Sequence, residues 1–320
     1  MAQTNEQKYF EITLTTLVTT MESILPFLQD SNVFEVYLND DGKIWKDTFQ
    51  GRVYTEVIME PEAAEQIIKN VAALTGQVIS EDYPEIDAEV PQNHFFEELR
   101  FHGKLPRIVS RPTFNIRKQP KVIFTLDDYV KQGIMSERQK EVILQGIYDK
   151  KNIIAAGGTK SGKTTLLNAI LHEIGKLDDR VVIIEDTKEL QCSAEDKVSI
   201  TTLPTYSMSD ALRGVLRMTP DRIVVGEVRG GEVLALLDAW STGHGGGCST
   251  VHSNSAVDTL LRLEDMTTRV ANIPQQRTIG QAIDYIVYLK YHAGKRIIED
   301  IVEVLGFDTA KKTYKIRRIG

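Results

Sequence analysis

The residues best placed to do chemistry lie between Asn152 and Leu171, where the chain reads NIIAAGGTKSGKTTLLNAIL. Gly157, Gly162, Lys163 and Thr164 fit the spacing G-x-x-x-x-G-K-[ST]. Glycines let backbone N–H groups turn inward around a chain of phosphates. The loop from Gly157, Gly158, Thr159, Lys160 and Ser161 through Gly162, Lys163, Thr164 and Thr165 is therefore a phosphate cradle. Lys163 would reach the β- and γ-phosphates of a nucleotide, and the Thr164 hydroxyl would hold Mg²⁺.

Two carboxylate groups follow at spacings that suit the same chemistry. RVVIIEDTKE, from Arg180 to Glu189, places Glu185 and Asp186 at the carboxyl end of an apolar run. In open α/β sheets, ligand-binding groups gather at that edge. DRIVVGE, from Asp221 to Glu227, repeats the pattern, and Glu227 in that place suits general-base work on water. The segment STGHGGGCSTVH, from Ser241 to His252, then offers two histidines that could sense a γ-phosphate. A metal site built on His244 and His252 would have only Cys248 at hand to complete it.

These groups need strands and helices to hold them. Ile153–Ala156 is a buried-strand run, and Leu166, Leu167, Ile170 and Leu171 recur at helical spacing, so the loop joins a strand to a helix. From residue 151 onward strands and helices alternate, which predicts a mostly parallel sheet covered on both faces. Before it, residues 1–120 read as an α+β unit. Phe10–Leu28 is expected as one helix, Phe34–Leu38 as a strand, Asn39–Gly42 as a turn and Ile44-Trp45 as renewed extended chain. Pro61–Leu74 is expected as a helix stopped at Gly76. Arg100–Gly103 and Arg107–Arg117 read as strands broken at Pro106 and Pro112. The basic, proline-bearing stretch about 118–122 reads as a hinge to a second domain, residues 121–320. Past the hinge come two helices, Leu126–Gly133 and Ser136–Lys150, the second with Ser136 and Gln139 spaced as a capping box.

Composition narrows the function classes. The 320 residues are 42% hydrophobic and 26% charged, the balance of a globular chain large enough for two domains. A net charge of -7 argues against a dedicated nucleic-acid binder. Cys192 and Cys248 are not spaced for zinc or for a disulfide framework, so a reducing cytosol is expected. The N-terminus has no signal-peptide pattern, and no apolar run is long enough to span a bilayer.

Taken in order, four boxes resemble the traffic ATPases of type II and type IV secretion, and within them the conjugal-transfer, TrbB-like branch. They are Gly157–Thr164 (Walker A), Glu185-Asp186-Thr187 with Glu189 (Asp box), Gly226–Arg229 (Walker B) and Thr242 to His252 (His box). Leu99-Arg100-Phe101 and Phe114–Lys118 resemble the family's two N-terminal arginine elements. Ile283–Val287 and Lys295–Val304 resemble its last strands, so the similarity runs nearly the whole chain.

The resemblance implies a RecA-like P-loop motor domain preceded by a smaller PAS-like α+β domain, in a hexameric ring with nucleotide between the domains. It implies that Lys163 and Thr164 bind phosphate and Mg²⁺ and that Glu227 activates water. Glu185, Asp186 and Glu189 would line the metal side. His252 rather than His244 would contact phosphate. Arg100 and Arg117 would supply transition-state charge from the N-terminal domain. The implied activity is ATP hydrolysis energising a type IV secretion or conjugation apparatus, on the cytoplasmic side of the inner membrane and peripheral to it. A pilus or type II secretion motor and a DNA-stimulated RecA-like ATPase are the alternatives. Two positions depart from the family pattern: Lys160 replaces a usual glycine, and Thr219 a common arginine.

Overall fold

The computed structural model describes residues 5–48, 51–118, 123–292 and 295–320. It divides into two compact units, Met1–Val122 and Ile123–Gly320. Residues 119–122 of the expected hinge lie outside the described residues.

The first unit opens with helices α1 (Asn5–Thr20) and α2 (Leu25–Gln29). Strands β1 (Val33–Leu38), β2 (Lys43–Thr48) and β3 (Gly51–Ile58) come next, then helix α3 (Pro61–Leu74). Strands β4 (Glu85–Val90), β5 (Leu99–Lys104) and β6 (Thr113–Lys118) complete it. They form a six-stranded antiparallel sheet in the order β3-β2-β1-β6-β5-β4. Alternation in β4 buries Ile86, Ala88 and Val90 and leaves Glu85, Asp87 and Glu89 outside. The buried face packs Val36, Phe101, Phe114 and Ile116 with Leu17, Met21, Ile67 and Ile68 of the helical layer. Each fully buried large side chain contributes about 1.5–3 kcal/mol, which fixes the register.

The expected helix over 10–28 is two helices. The chain turns at residues 21–24, and Pro26, which has no N–H to give, starts the second helix in its first turn. The expected strand over 107–117 begins only at Thr113, after Arg107 takes a left-handed φ of 104°. Strands β3 and β4 were not legible in the sequence. In β3 the apolar alternation is weak, and none of its residues is fully buried.

In the second unit, α4 (Leu126–Lys131) and α5 (Glu137–Tyr148) precede β7 (Ile153–Gly157) and α6 (Lys163–Ile174). Both α4 and α5 start on capping boxes, Thr125 with Asp128 and Ser136 with Gln139. Next come β8 (Val181–Glu185), β9 (Lys197–Thr201), α7 (Met208–Val215), β10 (Arg222–Val225) and α8 (Glu232–Ser241). The unit ends with β11 (Cys248–His252), α9 (Ala256–Thr268), α10 (Gln276–Ala282), β12 (Tyr285–His292), β13 (Lys295–Asp308) and β14 (Thr313–Arg318). The eight strands run β14-β13-β12-β7-β11-β10-β8-β9, parallel from β12 to β9, with β13 and β14 antiparallel at one edge. Successive residues of β7 and β8 alternate between two cores. Ile154, Ala156, Val182 and Ile184 join one, and Ile153, Ala155, Val181 and Ile183 the other.

Arg222, the first residue of β10, is buried to 1% exposure, and each of its guanidinium nitrogens finds a partner. It donates to Asp179 Oδ2 at 2.7 Å, and to the carbonyls of Gly246 and Ile147 at 2.9 Å each. Burial pushes the Asp179 carboxyl up, but the bonds and charges of Arg222 and Lys150 outweigh it and hold it below the usual range. A Cβ on Gly246 would meet Arg222 at 2.9 Å, and one on Gly247 would meet the Ile223 carbonyl at 2.1 Å. Glycine at 246 and 247 is therefore a packing requirement.

Thr219 stands at φ 49°, a left-handed conformation that a β-branched residue pays for. The neighbouring turn is closed from elsewhere, by Arg180 Nε donating to the Met218 carbonyl at 3.0 Å. Thr219→Asn is expected to stabilise the chain by about 1 kcal/mol, a rise of roughly 2–4 °C in Tm. Thermal unfolding checks it, and a fall in Tm would show that the threonine hydroxyl matters more than the backbone.

Candidate nucleotide-binding site

The glycine loop leaves β7 at the carboxyl edge of the parallel sheet. A Cβ on Gly157 would lie 2.3 Å from the Leu289 carbonyl and 2.6 Å from Ser161 Oγ, so only glycine fits. Lys160 takes φ 61°, which explains why glycine suits this position. Gly158, Thr159 and Lys160 are exposed, while Ser161 and Lys163 are buried and Thr164 and Thr165 half-buried. Helix α6 starts at Lys163 on Gly162 with no side-chain cap and no acidic residue in its first turn. By contrast α4, α5, α7 and α9 are capped by Thr125, Ser136, Ser207 and Ser255. The bare N–H groups of α6 and its positive dipole end suit an anion. Ser161 Oγ is buried and finds no hydrogen-bond partner among the described residues. An uncapped helix start, a loop turned tightly at Gly157 and an orphaned hydroxyl together fit a bound phosphate group.

Lys163 Nζ donates to the Gly158 carbonyl at 2.9 Å and lies 3.3 Å from His252 Nδ1. His252 Nε2 is 3.3 Å from Glu227 Oε1, an approach that lacks hydrogen-bond geometry. The other oxygen of Glu227 accepts from Arg229 Nη2 at 2.6 Å. Partial burial, and then the charge of Lys163, push the His252 imidazolium pKa down, so the ring is neutral at neutral pH. Parallel pairing of β11 with β7 brings His252 beside Gly157. His244 precedes β11 at the opposite end of that strand, so it does not join the cluster. Thr250 Oγ1 donates to the Gly226 carbonyl at 2.9 Å and fixes the turn that carries Glu227.

The acidic stretch after β8 splits its roles. Glu185 is 3% exposed, and one of its oxygens accepts the backbone N–H of Glu189 at 2.8 Å and of Leu190 at 2.9 Å. Burial raises its pKa, and those two bonds pull it back only in part. Glu185 thus folds the loop that carries Glu189. Asp186 accepts from Thr202 Oγ1 at 2.7 Å. The bond from Glu227 raises the Arg229 pKa most, and the charges of Asp186 and Glu189 add to it. Among the described residues no three His, Cys, Asp or Glu converge as a metal cage. Mg²⁺ at such a loop needs none, because it takes one or two protein oxygens and the substrate phosphates.

Arg100 and Arg117 lie in the first unit. They face each other across β5 and β6, both exposed, within a charged row that continues to Glu89 on one side and Glu35 on the other. Arg100 also pairs with Asp87 at 3.4 Å. Like charges directly opposed in a sheet cost stability. Sequence reasoning missed Arg229 as the partner of Glu227, Arg222 under the glycine run, and Arg296, which reaches the loop from β13. Only the side-chain geometry reveals them.

A glycine loop between a central parallel strand and a helix, with a carboxylate at the end of β10, defines a RecA-like P-loop fold. The chain belongs to the type II/IV secretion system protein family, whose model matches residues 22–290. It is 43% identical over 291 residues to a probable conjugal transfer protein TrbB of Sinorhizobium fredii, covering 90% of this chain and 88% of that one. It is 29% identical to the type IV secretion system protein VirB11 of Bartonella henselae, covering 81% and 82%. The X-ray structure of the Legionella pneumophila ATPase DotB shares the fold, with a TM-score of 0.63 at 18% identity over 94% of this chain and 79% of that one. Among the described residues no helix is long and apolar enough to cross a membrane.

Proposed function

We propose that this protein is an ATP-hydrolysing motor of a type IV secretion or conjugative transfer apparatus. One observation carries the reading: Lys163 of the glycine loop and Glu227 just past β10 both reach His252, each at 3.3 Å. Sequence boxes that lie far apart thereby form one phosphate-facing cluster.

The loop N–H groups and Lys163 hold the β- and γ-phosphates, and neutral His252 donates to the transferring group. Glu227 takes the proton from the attacking water, with Arg229 keeping its carboxylate in place. Thr164, with Asp186 and Glu189, would hold Mg²⁺, which when bound would neutralise phosphate charge. Glu185 acts at one remove, through the loop it folds. Arg100 and Arg117 contribute positive charge to the transition state. The two relatives named conjugal transfer and type IV secretion proteins support the apparatus. A homo-hexameric ring, peripheral contact with inner-membrane machinery and a cytoplasmic location complete the proposal.

Phosphate release by the full chain, measured with solution mass and with or without DNA, tests the reading. ATP turnover with a nucleotide-dependent ring is expected, and turnover that requires DNA would favour a DNA-stimulated ATPase instead. Arg117→Ala is expected to lower kcat about tenfold to a thousandfold while nucleotide Kd changes little, because its charge acts mainly in the transition state. A weakened Kd with unchanged kcat would contradict that role.

A further inference from the structure

Arg296 approaches the glycine loop from the far end of the chain. It sits at the start of β13, and its Nε donates to the Lys160 carbonyl at 3.2 Å. Its Cδ lies under Gly162, so closely that a Cβ there would stand 3.2 Å away. Its guanidinium carbon rests 5.6 Å from the Tyr291 ring centroid, across the β12–β13 hairpin. The hairpin is itself tied down. Ile298 N–H donates to the Ile134 carbonyl at 2.8 Å, and Gln139 Nε2 donates to the Ile298 carbonyl at 3.2 Å. The guanidinium is thus held by a ring on one side and a backbone carbonyl on the other.

The carbonyl it grips belongs to the loop residue that needs gripping. Lys160 holds a left-handed φ of 61° without being glycine. Non-glycine residues leave that conformation unless their surroundings hold them. If Lys160 relaxes, the N–H groups around it turn away from the phosphates.

We propose that Arg296 is a positioning residue of the phosphate loop, holding Lys160 in its left-handed conformation so that the cradle is formed before nucleotide arrives. The bond from Arg296 substitutes for the conformational freedom that a glycine would give at position 160. The proposal rests on the nucleotide-binding reading above for its effect on affinity, but not for its effect on the loop.

Two measurements on the full chain test it. Amide hydrogen exchange across 157–164 in nucleotide-free protein is expected to quicken at least about tenfold in Arg296→Ala, with exchange in β8 and β10 unchanged. Unchanged exchange in the loop overturns the proposal whether or not nucleotide binds. ADP affinity by calorimetry is then compared in two backgrounds. Arg296→Ala is expected to weaken ADP roughly tenfold in the parent, but less than about threefold when Lys160→Gly is already present. Equal losses in both backgrounds would mean that Arg296 does not act through residue 160. A parent that binds neither ADP nor ATP, with the exchange result as expected, would instead remove the proposed function.

Discussion

Replacing Lys163 by alanine is expected to reduce ATP turnover roughly 10²–10³-fold or more, to the limit of detection. The ammonium is the buried cation of the loop, 7% exposed and bonded to the Gly158 carbonyl, whereas Lys160 is exposed. The lysine donates to a backbone carbonyl and approaches the His252 imidazole, so its positive charge stands where the loop N–H groups converge. A phosphate group would answer that charge, and alanine removes the reason for the phosphate to stay. Phosphate release at saturating Mg-ATP, with circular dichroism to verify the fold, checks the outcome. Turnover near the parent's would remove the glycine loop from the mechanism.

Glu227→Gln is expected to retain nucleotide binding and lose hydrolysis, by roughly 10²–10⁴-fold. The amide keeps an oxygen that can accept from Arg229, so the turn keeps its shape, but it takes no proton from water. The stability change should be small, since Arg229 is 68% exposed and surface pairs contribute little. Calorimetry with an ATP analogue and single-turnover phosphate release separate the two effects. Equal rates in variant and parent would place the base elsewhere.

Much of this was legible in the residues. The strand at Ile153–Ala156, the helix after Gly162 and the capping box at Ser136 follow from period and local chemistry, and each forms. The apolar runs ending at Glu185 and Glu227 mark the carboxyl edge of a parallel sheet because such strands are buried on both faces. Other features were beyond reach. The break before Pro26 is hidden by Leu17, Met21, Leu25 and Leu28, whose spacing stays helical across it. Glu185 reads like a ligand by position, yet burial and two backbone N–H groups make it a loop builder. Arg229 closes the Walker B box while Arg222 and Arg296 stand outside the four boxes, and what all three do depends on side-chain direction. His244 and His252 share one box, but a strand's length separates them.

The three glycines before Cys248 carry a practical warning for mutational scanning of this chain. They sit in a segment that also contributes His252, and a side chain placed at 246 or 247 would strike Arg222, Trp240 or backbone. Inactive substitutions at 246 and 247 would report misfolded protein, whereas inactive substitutions at 252 would report failed chemistry. A scan scored by secretion alone would merge the two, and yield of intact protein is the measurement that keeps them apart.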